Sequence, residues 1–228
     1  MKVKTTLNLS DYEIFVFDCD GVLIDSNKLK TKAFKLTLEN YPKDIVDNFI
    51  SYHEQNGGIS RYVKFKHFLS KILEIKNYQY EHQALLKKFS LISTDLISKE
   101  AEFIPGINSL LNILNKNKKT LVVCSGTDEN DLKKILAFKI INLYFTHIYG
   151  SPKTKEEILS NVLNLNNHHK MKAIFFGDAF SDYEAAANYG FDFIFVSYNS
   201  DWKDISQTPY YKNLESIHSF KDLEVTNI

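Results

Sequence analysis

Apolar residues along this chain change their spacing twice, and each change marks a boundary. Ile14 to Phe17 form an unbroken, β-prone run that ends in Asp18; such a run suits a strand covered on both faces. From about Ser26 to Lys99 apolar positions recur only at helical spacing. The first helical segment carries Leu29, Ala33 and Leu36, and the second starts at Pro42, a favoured first-turn residue, with Ile45, Phe49 and Ile50. Asn56-Gly57-Gly58 breaks the pattern, after which Ser60 can cap a third helix with Val63, Phe65, Phe68, Leu69 and Ile72. A fourth runs from about Gln79 through Ala84, Leu85, Phe89 and Ile92. Four helices joined by short turns predict a small bundle.

Beyond Pro105-Gly106 short apolar runs alternate with amphipathic ones. Leu121 to Cys124, Phe145 to Tyr149, Ala173 to Phe176 and Phe193 to Val196 read as strands. Between them Ile107/Leu110/Leu111/Leu114, Leu132/Ile135/Leu136, Ile158/Leu159/Val162 and Ala185/Ala186 read as helices, the last stopped by Gly190. This alternation predicts an α/β fold: a Rossmann-like, doubly wound parallel sheet formed by 1–25 and 100–228, with a four-helix domain inserted at 26–99. A chain of 228 residues is long enough for such a core plus an insertion.

In an open α/β sheet, ligands bind outside the carboxyl ends of the strands, so the residues just past each strand are the informative ones. Asp18, Asp20 and Gly21 come after the first; Ser125, Gly126 and Thr127 come after the second. Gly150, Ser151, Pro152, Lys153 and Lys155 come after the third, and Gly177, Asp178 and then Asp182 after the fourth. Paired carboxylates at the end of a buried strand repel and lose hydration unless something uses them. Clustered oxygen ligands suit a hard cation such as Mg²⁺, which shares a substrate's phosphate oxygens. A carboxylate can also attack phosphorus and form an aspartyl-phosphate, while a second carboxyl two residues on transfers the protons. A hydroxyl, backbone N–H groups and a lysine would hold the transferring phosphoryl group.

"DCDGVLIDS", "VVCSGT", "GSPKTKEEIL" and "FFGDAFSDYEAA", in that order, resemble the four motifs of the haloacid dehalogenase superfamily. The helical insertion resembles the cap of its phosphoglycolate phosphatase and β-phosphoglucomutase branch. The resemblance implies that Asp18 is the nucleophile and a metal ligand, and that Asp20 is the general acid/base with its backbone carbonyl on the metal. It implies Ser125 as the phosphate-binding hydroxyl, Asp178 as a metal ligand, and Asp182 as an acid supporting the metal or the lysine. The lysine is Lys153 or Lys155; its place at a helix start favours Lys155. The dehalogenases of the superfamily lack an acid at the Asp20 position, so phosphoryl transfer is the expected chemistry. The expected substrate is a small phosphomonoester such as a sugar phosphate, with a phosphomutase on the same scaffold or a non-catalytic binding module as rivals. A phosphoacceptor receiver domain would be shorter and would lack the helical block.

In the helical block, Gly58, Arg61 and Lys64 offer N–H groups and cations to an anionic substrate, beside Gly126 and Thr127 at the sheet. A tight helix connection with solvated basic residues is the plain alternative. Asp25 and Ser26 lead into the block as hinge or cap residues. His53 is expected to be packed or at the surface, Cys19 to pack away from the site, and His168-His169 to lie in a polar loop; Trp202 carries no assignment. Lys and Arg total 28 against 28 Asp and Glu, a balance that gives no sign of a nucleic-acid partner. Two cysteines and no apolar stretch near the roughly 20 residues of a membrane span lead to the expectation of a reduced, cytoplasmic protein without a membrane partner, as a monomer or weak homodimer.

Overall fold

The structure, a computed structural model, describes residues 5–165, 172–202 and 214–227. Strand β1 (Thr5–Asn8) opens the chain, and a central parallel sheet is built from β2 (Ile14–Phe17), β3 (Thr120–Asp128), β4 (His147–Ser151), β5 (Ala173–Gly177), β6 (Asp192–Val196) and β7 (Ser216–Ile217). The strands of that sheet lie in the order β4-β3-β2-β5-β6-β7. β8 (Leu223–Thr226) pairs with β1 in a separate two-stranded parallel sheet. Successive side chains of a strand point to opposite faces, and β2 shows what this does. Phe15 and Phe17 pack with helices α5 (Ile107–Lys116) and α6 (Glu129–Phe138), through Ile107, Leu110, Leu111, Leu132, Ile135 and Leu136. Ile14 and Val16 pack on the other face with α7 (Lys155–Leu165) and α8 (Phe180–Tyr189), through Ile158, Leu159, Val162, Ala185 and Ala186. Both faces are therefore covered, which is why the strands read as continuous apolar runs.

Residues after β2 form α1 (Asn27–Thr37), α2 (Lys43–Gln55), α3 (Arg61–His67) and α4 (Gln79–Glu100), with a π-helical turn at Phe68–Ile72 extending α3. They enclose a hydrophobic core of their own around Phe34, Phe49, Phe65, Phe68 and Phe89. The Phe34 and Phe89 rings stack at 4.1 Å between centroids. Burying each such ring contributes about 1.5–3 kcal/mol relative to leaving it in water. Four expected positions are not in this core: Leu36, Val63 and Ala84 are exposed, Leu29 packs against the core of the sheet domain, and the buried face of α3 runs through Arg61, Lys64 and Phe65. No helix among the described residues is long and apolar enough to cross a membrane.

The sequence pattern misplaces the limits of two strands. The third expected strand begins two residues later, at His147, because Phe145 closes a 3-10 turn at Asn142–Tyr144. β3 continues beyond Cys124 to Asp128, since Asp128 pairs with Ser151 across a register shift. Ser125, Gly126 and Thr127 thus stand on the extended end of β3. The chain runs from β2 to β3 and β4 on one side of the sheet and resumes with β5 on the other side of β2. That reversal opens the crevice in which such sheets bind ligands.

Candidate active site

Asp18 sits at the carboxyl end of β2, where its N–H donates to the Phe176 carbonyl of β5 at 3.0 Å. Its Oδ1 accepts from the N–H of Cys19 at 2.6 Å. Lys155, the first residue of α7, places Nζ 3.3 Å from Asp18 Oδ2 and also donates to Asp182 Oδ1. Asp182 lies in the first turn of α8, and its other oxygen accepts from the N–H groups of Asp178 (3.3 Å) and Ala179 (3.0 Å). Asp178, after β5, accepts from Asn27 Nδ2 at 2.7 Å. Three buried carboxylates thus surround one ammonium group, and an oxygen from each can lie within 4.8 Å of the others.

This crowding has electrostatic consequences. Burial, then the charges of Asp18 and Asp182, push the Asp178 carboxyl well above the usual carboxylate range. Burial, with Asp18 beside it, likewise pushes Asp182 up to about 7, against the opposing charge of Lys155. Burial opposes the charge of Lys155, yet Asp18 and Asp182 hold its ammonium above the ordinary lysine value. A divalent cation would relieve the repulsion, and buried carboxylate oxygens are the donors a hard cation prefers. Asp18, Asp178 and Asp182 are the three carboxylates that could hold it. Asp182 also supports Lys155 and the β5–α8 turn, through one oxygen on Lys155 Nζ and the other on the Asp178 and Ala179 N–H groups.

Asp20 belongs to a different set of contacts. Its Oδ1 accepts from Ser26 Oγ at 2.5 Å; its Oδ2 accepts from Lys30 Nζ (2.5 Å), Thr127 Oγ1 (2.8 Å) and Ser125 Oγ (3.4 Å). Burial alone would raise this carboxyl, but the Lys30 charge and the donated hydrogen bonds outweigh it and hold the group below its ordinary value. Asp20 is thus an ionised group fixed beside the carboxylate cluster but bonded apart from it.

Of the residues expected at this site, Asp18, Asp20, Ser125, Thr127, Lys155, Asp178 and Asp182 converge. Lys153 does not. Its side chain is 44% exposed, ion-paired with Glu129 and set over the Tyr149 ring, because it precedes α7 and turns outward. Gly58 and Gly126 meet face to face: a Cβ on Gly126 would collide with the Gly58 carbonyl oxygen. Gly58 itself adopts φ +75°, and a Cβ there would collide with Ser181 Oγ. Arg61 is diverted from the role of a free anion receptor. Its Nη1 lies 2.5 Å from Asp131 and its Nη2 3.6 Å from Asp128, both at the start of α6. Lys64 is buried with Nζ 2.7 Å from His53 Nδ1.

Other expectations resolve simply. Cys19 packs into the hydrophobic core, His53 is buried, and Asp25 accepts from Asn199 Nδ2 at 2.7 Å. His168 and His169 lie outside the described residues. Trp202 packs edge-on against Phe180 and Phe195, with centroids 5.6 and 5.4 Å away. Asn27 and Lys30 join the site without having been expected there. They lie three apart on one face of α1, and that spacing just after the strand-end acids is a usable signal.

The sequence profile of the haloacid dehalogenase-like hydrolases matches residues 15–196. The chain is 28% identical over 142 residues to a probable pseudouridine-5'-phosphatase of Drosophila melanogaster, a match spanning 60% of this chain and 56% of that protein. It is 28% identical over 187 residues to a phosphoglycolate phosphatase of Aquifex aeolicus, spanning 78% of this chain and 81% of that one. A solved structure described as a predicted phosphoglycolate phosphatase from Haemophilus somnus shares the fold, with a TM-score of 0.76 over 94% of this chain and 97% of that chain at 16% identity. With a profile match running from β2 to β6 across every strand end described above, the chain belongs to the haloacid dehalogenase-like hydrolases.

Proposed function

We propose that this hydrolase is a Mg²⁺-dependent phosphatase of small phosphomonoesters that works through an aspartyl-phosphate on Asp18. The chain is a phosphoric monoester hydrolase, in keeping with the names of its relatives. The observation that carries the reading is the placement of Asp18 against Lys155 at 3.3 Å, with Asp178 beside it and Asp20 held separately. When bound, the metal supplies charge neutralisation for the phosphoryl oxygens; Asp18, Asp178 and the Asp20 backbone carbonyl would hold it, with Asp182 beside them. An Asp18 oxygen attacks phosphorus, the bond from phosphorus to the ester oxygen breaks, and that oxygen takes a proton from Asp20, which is ionised in the free enzyme and must bind that proton from solvent as the substrate enters. Water then attacks phosphorus, its proton returns to Asp20, and phosphate leaves with the Asp18 carboxylate restored. Lys155 and the Ser125 and Thr127 groups balance the charge on the phosphoryl oxygens.

Helices α1–α4 act here as a cap over residues 1–25 and 100–228. Together they enclose a cavity of about 660 Å³ lined by Asp18, Asp20, Lys30, Lys64, Asp178 and Trp202. That volume suits a metabolite-sized ligand. A panel of phosphorylated metabolites assayed for phosphate release tests the reading. Asp18→Asn should reduce turnover at least about a hundredfold with the fold intact, and a chelator should abolish it. Residual turnover above about one part in a hundred in that variant, or activity indifferent to chelation, would overturn it; isomerised sugar phosphate in place of free phosphate would make the enzyme a mutase.

A further inference from the structure

Three cations of the cap, Lys30, Arg61 and Lys64, line the cavity. Lys30 is neutralised by Asp20 and Arg61 by Asp131 and Asp128. Lys64 differs: among the described residues no carboxylate forms an ion pair with it, although it is only 3% exposed. Its partners are neutral. Nζ lies 2.7 Å from His53 Nδ1 and donates to the His53 carbonyl at 3.3 Å, with the Phe34 ring 5.9 Å away. As an ammonium group Lys64 only donates, so in that form Nδ1 accepts and the His53 proton resides on Nε2. That nitrogen faces Thr31 Oγ1 at 3.1 Å, and Thr31 in turn donates to the Asn27 carbonyl at 3.2 Å. The chain of bonds fixes the lysine and, among the described residues, engages two of its three protons.

An ammonium group buried against neutral neighbours loses hydration that no ion pair among the described residues returns. Burial, then the nearby Lys30 charge, bring Lys64 down to about 7, and Asp201 and Asp20 on the same cavity wall offset only part of this. An acidic ligand group would supply the missing counter-charge.

We propose that Lys64 is a specificity-determining residue: it reads a second acidic group on the substrate, a carboxylate or a phosphate, distinct from the phosphoryl group that is removed. The proposal rests on the phosphatase reading for what occupies Asp18. It makes the enzyme selective for diacidic metabolites over neutral sugar phosphates of the same skeleton.

The test is calorimetric binding to the Asp18→Asn protein with Mg²⁺, which needs no turnover. Two pairs of probes are compared: 3-phosphoglycerate with glycerol 3-phosphate, and fructose 1,6-bisphosphate with fructose 6-phosphate. In one pair or both, the diacidic member should bind at least about tenfold more tightly, the worth of one charged hydrogen bond. Whichever pair shows the preference tells carboxylate from phosphate. Adding Lys64→Met should bring the ratio to within about twofold, and Lys64→Arg should keep it. Lys64→Gln, which can still donate to His53, should lose the preference if charge is what matters. Equal binding within both pairs, or a preference that survives Lys64→Met or Lys64→Gln, would overturn the proposal. Phosphate release by the unmodified enzyme is measured alongside: no release with the binding preference intact would refute the phosphatase reading and leave the role of Lys64 standing.

Discussion

Asp131 of α6 is one of the points at which the helical insertion is tied electrostatically to the sheet domain, with Asp128 and Asp20 as others. Its Oδ2 accepts from Arg61 Nη1 at 2.5 Å and from Ser90 Oγ at 2.6 Å, so it holds α3 and α4 together against α6. Tyr62 adds a bond to Asp128 Oδ2 at 2.6 Å. The Asp131 and Arg61 side chains are 4% and 9% exposed, so solvent screens the pair little. Asp131→Ala would leave the guanidinium with Asp128 alone, at 3.6 Å, and the Ser90 hydroxyl without its acceptor. Breaking a buried pair by removing one partner costs about 3–5 kcal/mol, a large part of the roughly 5–15 kcal/mol that holds a domain together. Arg61→Met with Asp131→Leu removes both charges, and should recover most of that loss. Urea unfolding followed by far-UV circular dichroism reads the stability. Fluorescence of Trp202, the sole tryptophan, follows the α8–β6 region separately. The two probes should coincide in the unmodified protein and separate in Asp131→Ala, with helical signal lost first. A loss below about 1 kcal/mol in Asp131→Ala, or a double variant no better than the single one, would refute the reasoning.

The site yields three further expected outcomes. Lys155→Met removes the ammonium shared by Asp18 and Asp182, so phosphate release should fall at least about a hundredfold and stability by about 3–5 kcal/mol, whereas Lys153→Met should change either little; kinetics and melting of the two variants side by side check this. Gly126→Ala forces a methyl group against the Gly58 carbonyl and should raise KM by separating the cap loop from β3, which steady-state kinetics would detect; unchanged KM would mean the contact is not kept in the working enzyme. Burial, then the Lys64 and Lys30 charges, bring His53 down to about 2 from an ordinary 6.5. The unfolded chain therefore binds a proton below about pH 6.5 that the folded one refuses. Stability from this group is complete above about pH 6.5 and is lost as the pH falls, by about 1.4 kcal/mol per pH unit. His53→Gln should flatten the decline between about pH 6 and pH 4 in urea titrations; an unchanged slope would show that His53 is protonated in the fold.

The parts legible in the sequence were those fixed by local spacing. β2 and β5 are buried on both faces, so each reads as an apolar run, and Asp18, Asp20 and Asp178 come at once after them in sequence and in space. Lys155 lies 137 residues from Asp18, yet its position at the first turn of α7 was enough to favour it over Lys153. Three strands were not legible. β1 (TTLN), β7 (SI) and β8 (LEVT) are two to four residues long and largely polar, too short to carry a period, and they form only because a partner strand is already in place.

The same limit explains the misreading of α3. Helical spacing assigns Val63 to the core and leaves open whether Arg61 and Lys64 face a ligand or solvent, because periodicity counts only apolar positions. In the fold α3 is pressed between α4 and the end of β3, so its inner face meets polar ground: Asp128, Asp131 and His53. A face that contacts another domain and a cavity has no reason to be apolar, provided each buried charge finds a partner. Arg61 finds one in the sheet domain and Lys30 finds one in Asp20. The Gly-Gly turn before α3 does precede a residue, Lys64, that reaches the cavity wall, although the apolar spacing gives no sign that its side chain is buried. What the sequence lacked was the identity of the counter-charges. Those come from α6, some 70 residues away, and they separate a cation already spent on holding the cap from one still open to a ligand.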